Sequence, residues 1–388
     1  MNPLPPSGLD TNGPLAGVRV LELGGIGPAP YAGMLLGDLG ADVIRLDRPD
    51  EAGLANPAPV LHRGRRSLTL DLKHPDSTAV VLALAADTDI VIEGFRPGVA
   101  ERLGVGPEAL LARNPALVYG RMTGWGQDGP LAQEAGHDIN FIALTGALHA
   151  IGGSEEPVIP LNLLGDMGGG GLLLAFGVVS ALVSAGVTGR GQVVDAAMTD
   201  GSASLLAMVH GFLAQGRWKD QRAANTIDGG CPWYGVHRCS DGRHVALGIG
   251  DRRSYAALLE VLGLQDDPVF ADQYDRTAWP AMREGLATVF AGRPRDAWAA
   301  AFEGRGACVT PVLSLTEAPD HPHNAARGTF RTGPHGGVEP APVPRFSGTP
   351  AADPEPAPVV GAHTDEVLAQ AGYGPEAVAG LRAAGVVR

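Results

Sequence analysis

Two side chains stand out for what they could do together. His137 follows Gly136 in AGHDINF, and Asp166 follows Gly165 in LNLLGDMGGGG. Imidazole titrates at about pH 6.5, so it can take or give a proton under ordinary conditions. An imidazole and a carboxylate on opposite sides of one activated carbon can remove a proton from one face and return one to the other. Asp166 precedes four glycines, Gly168 to Gly171, and then the apolar run LLLAFGVVSALVSA, which has helical length. An Asp just ahead of such a run is placed to cap it, where free backbone N–H groups and the helix dipole favour the carboxylate form. With no side chains in the way, the same N–H groups could face the oxygen of an enolate as its charge develops. Plainer roles fit the same residues. Asp166 could only cap, with the glycines serving close helix packing, and His137 could be a structural histidine. Asp138 points elsewhere if its segment is extended, and nothing local brings His137 and Asp166 together.

The elements that must position this pair alternate. VRVLEL, a turn GGIGPAP, a helix-like YAGMLLGDLGA and then DVIRLDRP form a βαβ unit, which predicts a parallel sheet. SLTLDL, TDIVIEGF and LVYGRMTG continue the strand signals, and the order suits a doubly wound sheet. Gly25-Ile26-Gly27 after the first strand, with Asp47 downstream, invites a dinucleotide reading. Pro30 stands where the fingerprint needs a small residue, however, and Pro28 and Pro30 remove two backbone donors. NAD and FAD are therefore not expected, and no phosphate-loop lysine motif occurs.

Composition sets the outer limits. The chain has 388 residues, a net charge of −13 and 45% hydrophobic residues, with 56 Gly and 32 Pro. That suits an α/β enzyme of one large or two moderate domains and argues against a nucleic-acid binder. Cys231, Cys239 and Cys308 are too few and scattered for a disulfide framework or a four-ligand zinc site, so no metal site is expected. A reducing cytoplasm is the expected compartment, and the first residues, MNPLPPSGLDTNGP, read as a disordered arm without a secretory signal. Leu172 to Val187 is apolar but shorter than the roughly 20 residues of a membrane span, which predicts a buried helix and no membrane partner.

Basic residues gather near the ends of the early strands. They are Arg45 and Arg48, then His62, Arg63, Arg65 and Arg66, then Lys73, Arg96 and Arg102. In an acidic chain this clustering points to a polyanion at the carboxyl edge of the sheet, and coenzyme A, with its diphosphate and 3′-phosphate, is a fitting ligand. A solvated basic face is the alternative.

The stretches PLAGVRVLELGGIGPAPYAGMLLGDLGADVIRLDRP, RGRRSLTLDLK, EGFRPGVAERLG, RMTGWGQDGP, AGHDINFIALTGALHAIG, LNLLGDMGGGG and GRGQVVDAAMTDGS together resemble the family III CoA-transferase superfamily, and within it the α-methylacyl-CoA racemase branch. CVTPVLSLTEA and the tail GAHTDEVLAQAGYGPEAVAGLRAAGVV extend the likeness to most of the chain. In the transferases the aspartate matching Asp166 is a nucleophile and the position of His137 is usually aromatic. The histidine here is the racemase form, so the resemblance implies that His137 and Asp166 are the two proton-exchanging groups. It also implies acyl-CoA contacts at Arg48, at Leu70, Asp71, Leu72 and Lys73, at Gly94, Phe95, Arg96, Pro97, Gly98 and Val99, at Arg102, and at Gly136, Asp138, Ile139, Asn140 and Phe141. Ile26, Phe141 and Leu144 would supply an apolar wall for the acyl group. No cofactor beyond the CoA of the substrate is implied.

One position departs from the pattern. The resemblance implies a supporting glutamate in the smaller domain, and GGCPWYGVHRCSDGR places Arg238 there, preceded by His237. A cation near His137 would disfavour its protonated form, which leaves room for an isomerisation or elimination through an enolate. The expected division is 1–202 as a large CoA-binding α/β domain, 203–230 as a connecting helix and linker, 231–326 as a small α+β domain, and 327–388 as a return linker and C-terminal helices. Interlocking of two copies into a homodimer comes from the resemblance alone. The expected activity is exchange of the α-proton of a 2-methylacyl-CoA. The alternatives are a CoA-transferase with Asp166 as nucleophile, another acyl-CoA enolate enzyme, and a CoA-binding remnant without catalysis.

Overall fold

The computed structural model describes residues 13–334 and 336–388. Most of the proposed N-terminal arm lies outside them. Two compact units divide the chain, one of 1–145, 161–205 and 328–388, the other of 146–160 and 206–327. Three differences from the expected division follow. Gly146 to Pro160 joins the smaller unit, the large unit runs on to Leu205, and the segment after it belongs to the smaller unit instead of forming a connector.

The large unit is built on six strands, β1 (Arg19–Glu22), β2 (Asp42–Asp47), β3 (Arg65–Thr69), β4 (Ile90–Glu93), β5 (Val118–Thr123) and β6 (Gln192–Ala197). All pairings are parallel and the order is β3-β2-β1-β4-β5-β6. The doubly wound sheet is thus present, with β6 a strand the sequence pattern did not announce. Helices cover both faces, so the central strands are apolar at nearly every position, and Ile90, Val91 and Ile92 are all inaccessible. Alternation still sorts the residues. Leu21, Val91 and Tyr119 pack with Val80, Leu84 and Leu110, and with Val367, Leu368, Val386 and Val387 of the returning C-terminal segment. Val20, Ile92 and Val118 pack on the opposite face against the helices Pro28–Asp38 and Leu173–Thr188.

The strand order reverses between β1 and β4, where their connections run to opposite sides. That arrangement opens a crevice beyond the carboxyl ends of these two strands. Gly24 to Gly27 follow β1 and Gly94 to Pro97 follow β4, so both loops border it. The order is also that of dinucleotide folds, but Pro28 and Pro30 sit in the first turn of the helix after β1, where each lacks the backbone N–H that a pyrophosphate would use.

The smaller unit holds an antiparallel sheet of β7 (Tyr234–Arg238), β8 (His244–Gly248) and β9 (Val309–Pro311). Trp233, Tyr255, Trp279, Phe290 and Trp298 form its core. Ala223 to Gly230, the end of the expected connector 203–230, is folded around the buried side chain of Asn225, whose Nδ2 donates to Lys219 O at 3.0 Å and Gln221 O at 3.1 Å. Arg222 fastens the segment 146–160 to this unit by donating to Gly153 O at 3.1 Å and His149 O at 2.9 Å. The connecting helix expected within 203–230 is Ala207–Ala214, and a separate helix, Met198–Leu205, precedes it.

Candidate active site

The crevice contains two adjoining cavities that share Ile26, Gly94 and Phe95. The larger, of about 1000 Å³, is walled by Arg48, by Leu70, Asp71, Leu72 and Lys73, and by Val99. The smaller, of about 390 Å³, is walled by Arg96, Pro97, Gly136, His137, Phe141 and Asp166. His137 and Asp166, from separate segments, therefore face one space. Ile26 is 83% exposed at the junction, an apolar side chain with no protein cover where the cavities meet.

Not every expected contact residue reaches these walls. Gly98, Arg102, Asp138, Ile139, Asn140 and Leu144 line neither cavity. Leu144 is 65% exposed beyond them. Asn140 works on the main chain: its Oδ1 accepts the N–H of His137 at 3.1 Å, closing the start of the helix Asp138–Leu144. Arg102 lies beside Gly98, its guanidinium 3.3 Å from where a Cβ there would stand.

The helix carrying Asp166 begins earlier than its sequence suggests. It starts at Leu163, its first stretch Leu163–Leu172 bonds with the wider π spacing, and it continues without a break through Leu173–Thr188. Asp166 is therefore inside the first turns and caps nothing. Its N–H donates to Asp138 Oδ1 at 2.7 Å, and the N–H of Met167 donates to Asn162 O at 3.2 Å, so neither is free to face an enolate. The Asp166 carboxylate accepts from Asn162 Nδ2 at 3.2 Å. Burial pushes its pKa above the ordinary carboxylate range, the Asn162 hydrogen bond opposes this, the Asp138 charge adds to it, and His137 opposes it. The shift is thus opposite in direction to the one the sequence suggested. Gly27, at φ 65°, leaves room here, since a Cβ would come within 3.3 Å of Asp166 Oδ2.

The basic cluster separates into two sets. Arg65 is buried against Glu22 at 2.8 Å, Arg63 against Asp38 at 2.6 Å, and Arg66 pairs with Asp42 at 2.5 Å. Arg45 reaches the larger cavity but is spent on Glu22 and on Asp47. His62, wedged by burial beside Arg45 and Arg65, has its pKa pushed down to about 3. Five of the nine members, Arg45, His62, Arg63, Arg65 and Arg66, are therefore structural. Arg48, Lys73, Arg96 and Arg102 are exposed and make no side-chain ion pair or hydrogen bond among the described residues.

Several neighbours of the pair carried no signal of their own. Met122, Met198 and Trp125 line the smaller cavity, with Trp125 edge-on to Phe141 at 4.7 Å between centroids. Arg388 reaches the larger one, its backbone held by Thr69 at 2.8 and 3.0 Å. Asn162, one turn before Asp166, could have been found from that spacing. Arg238 is exposed on β7, while the adjacent His237 is buried and 3.0 Å from Pro232 O.

The sequence model of CoA-transferase family III matches residues 15–364. The chain belongs to this family. Among curated family members, mouse alpha-methylacyl-CoA racemase is 43% identical over 96% of this chain and 97% of its own, and the human protein is 42% identical over 94% and 95%. Mouse succinyl-CoA:glutarate CoA-transferase is 29% identical over 99% of this chain and 92% of its own. A CAIB/BAIF family protein from Brucella suis has the same fold, with a TM-score of 0.80 at 27% identity over 93% of this chain and all of the other.

Proposed function

We propose that this family III protein is an acyl-CoA racemase that exchanges the α-proton of a 2-methylacyl-CoA. The observation that carries the reading is the meeting of His137 and Asp166 in one cavity that opens into a second, cation-rimmed one. Relatives named alpha-methylacyl-CoA racemase, at 42–43% identity over nearly the whole chain, support it.

In this reading the CoA phosphates lie toward Arg48 and Lys73, with Arg96 on the wall of the smaller cavity. The thioester passes Ile26 and Phe95, and the acyl chain meets Phe141, Trp125, Met122 and Met198. One of His137 and Asp166 enters unprotonated and takes the proton from the carbon beside the thioester carbonyl. The C–H electron pair moves into the carbonyl as an enolate forms. The other, which entered protonated, gives its proton to the opposite face, and the pair is left ready for the reverse reaction. A buried carboxylate of raised pKa is a stronger base, which suits Asp166 to this work. The chemistry calls for no metal or redox cofactor.

A homodimer belongs to the same proposal. The helix Leu163–Thr188 is long and apolar enough to cross a membrane, longer than the stretch read from sequence, and only 39% of its most apolar window is buried. Leu172, Phe176, Val183 and Val187 form an exposed stripe at helical spacing, which we assign to a second copy of this chain. A cytoplasmic compartment fits the free cysteines Cys231, Cys239 and Cys308.

The test pairs two assays. A racemase interconverts the two epimers of 2-methylacyl-CoA on a chiral column and transfers nothing to a free acid. Formation of a new thioester with an acid acceptor, or an enzyme-bound acyl group released by hydroxylamine, makes Asp166 a nucleophile and the protein a transferase.

A further inference from the structure

Asp138 was expected to touch ligand and instead sits behind the reacting pair. Its side chain is buried. Oδ1 accepts the N–H of Asp166 at 2.7 Å, while Oδ2 is enclosed with no hydrogen-bond partner among the described residues. A half-satisfied buried carboxylate costs free energy, and an asparagine would accept the same bond without burying a charge. The surroundings are nonetheless shaped to hold it. A Cβ on Gly165 would collide with the Asp138 carboxylate, so only glycine lets that oxygen approach the helix start. Asp138 also follows His137 directly, and the main chain of His137 is itself fixed by Asn140. One side chain therefore runs from the residue beside one proposed base to the main chain of the other.

We propose that Asp138 is a positioning residue, a buried tether that fixes the separation of His137 and Asp166 and keeps a negative charge behind the Asp166 carboxyl. The proposal rests on the racemase reading. The charge of Asp138 raises the proton affinity of Asp166 in the same sense as burial, against the Asn162 hydrogen bond and the His137 charge, while Arg96 and Glu134 face the same cavity. Without the tether the two segments can separate, and a displacement of about 1 Å costs on the order of a hundredfold in turnover.

Three variants separate bond from charge. Asp138→Asn keeps the acceptor and removes the charge, Asp138→Ala removes both, and Gly165→Ala displaces the carboxylate with its charge intact. The readouts are kcat and KM for α-proton exchange across pH, and ¹³C NMR titration of the Asp166 carboxyl in aspartate-labelled protein, assigned with Asp166→Asn. In Asp138→Asn the Asp166 titration and the acid limb of the exchange profile move to lower pH. Asp138→Ala and Gly165→Ala lose on the order of a hundredfold in kcat with KM within about threefold of the parent. An Asp166 titration identical in the parent and in Asp138→Asn overturns the charge assigned to Asp138, and an unchanged kcat in Asp138→Ala overturns the tether. The near-isosteric Asn variant keeps the test intact if the Ala variants fail to fold. A parent protein that exchanges no α-proton ends the racemase reading instead, and the NMR titration still judges the Asp138 charge without turnover.

Discussion

Asp166 is pulled in two directions, and in the proposed exchange the balance would set the pH at which it acts. Burial and Asp138 favour its proton, whereas Asn162 and His137 favour its charge. Asn162→Ala deletes a hydrogen bond to the ionised form, so the acid limb of kcat/KM for exchange should move to higher pH. A limb that stays in place would show that another group titrates. His137→Ala and Asp166→Ala should each lower exchange by roughly 10²- to 10⁴-fold while acyl-CoA binding measured by calorimetry is retained. His137 and Asp166 were legible as candidates from their types and from the glycines beside them, and the structure places both on one cavity. The start of the Asp166 helix was not, because Asn162 and Asp166 are both plausible caps and the π spacing leaves no mark in the residue pattern. The arginines showed the sign of their charge but not their partners, since Glu22, Asp38 and Asp42 lie on other elements.

The loop after β4 is the element on which both cavities depend, and a buried carboxylate holds it. Glu93 accepts the N–H of Phe95 at 2.5 Å and meets Arg121 at 3.0 Å, while Arg121 also pairs with Glu101 at 2.7 Å. Burial outweighs a cation that is shared between two carboxylates, and the pKa of Glu93 is pushed up to about 7. The folded protein thus binds this proton more tightly than the unfolded chain. Glu93 favours folding below its ordinary value of 4.5, and that contribution is lost as pH rises to about 7. Relative to Glu93→Gln, the parent should lose roughly 3 kcal/mol of unfolding free energy between pH 4.5 and 7.5, measured by urea titration. An equal pH dependence in the two proteins contradicts this. The strands β1, β2, β4 and β5 were legible from their apolar residues, and β3 from the stretch SLTLDL. β6 was not, because QVVDAA keeps Gln192 and Asp195 exposed and breaks the pattern of a covered strand.

At the scale of the whole molecule, the exposed stripe on the helix Leu163–Thr188 calls for cover. Phe176→Glu combined with Val183→Glu should convert a dimer into monomers by sedimentation velocity, because charges cannot be buried in an apolar interface. A parent that sediments as a monomer at micromolar concentration contradicts the assignment. The doubly wound order, the smaller unit and the return of the C-terminal segment were all legible in outline. Membership of Gly146 to Pro160 in the smaller unit was hidden, since it depends on the distant Arg222. The proposed exchange turns on two side chains sharing one α-carbon. Its most direct test is incubation of each epimer of 2-methylacyl-CoA in D₂O, with mass and chiral analysis of the thioester. The parent should incorporate one deuterium at the α-carbon and interconvert the epimers, and the His137→Ala, Asp166→Ala double variant should do neither. Deuterium incorporation that survives the double substitution would contradict the account.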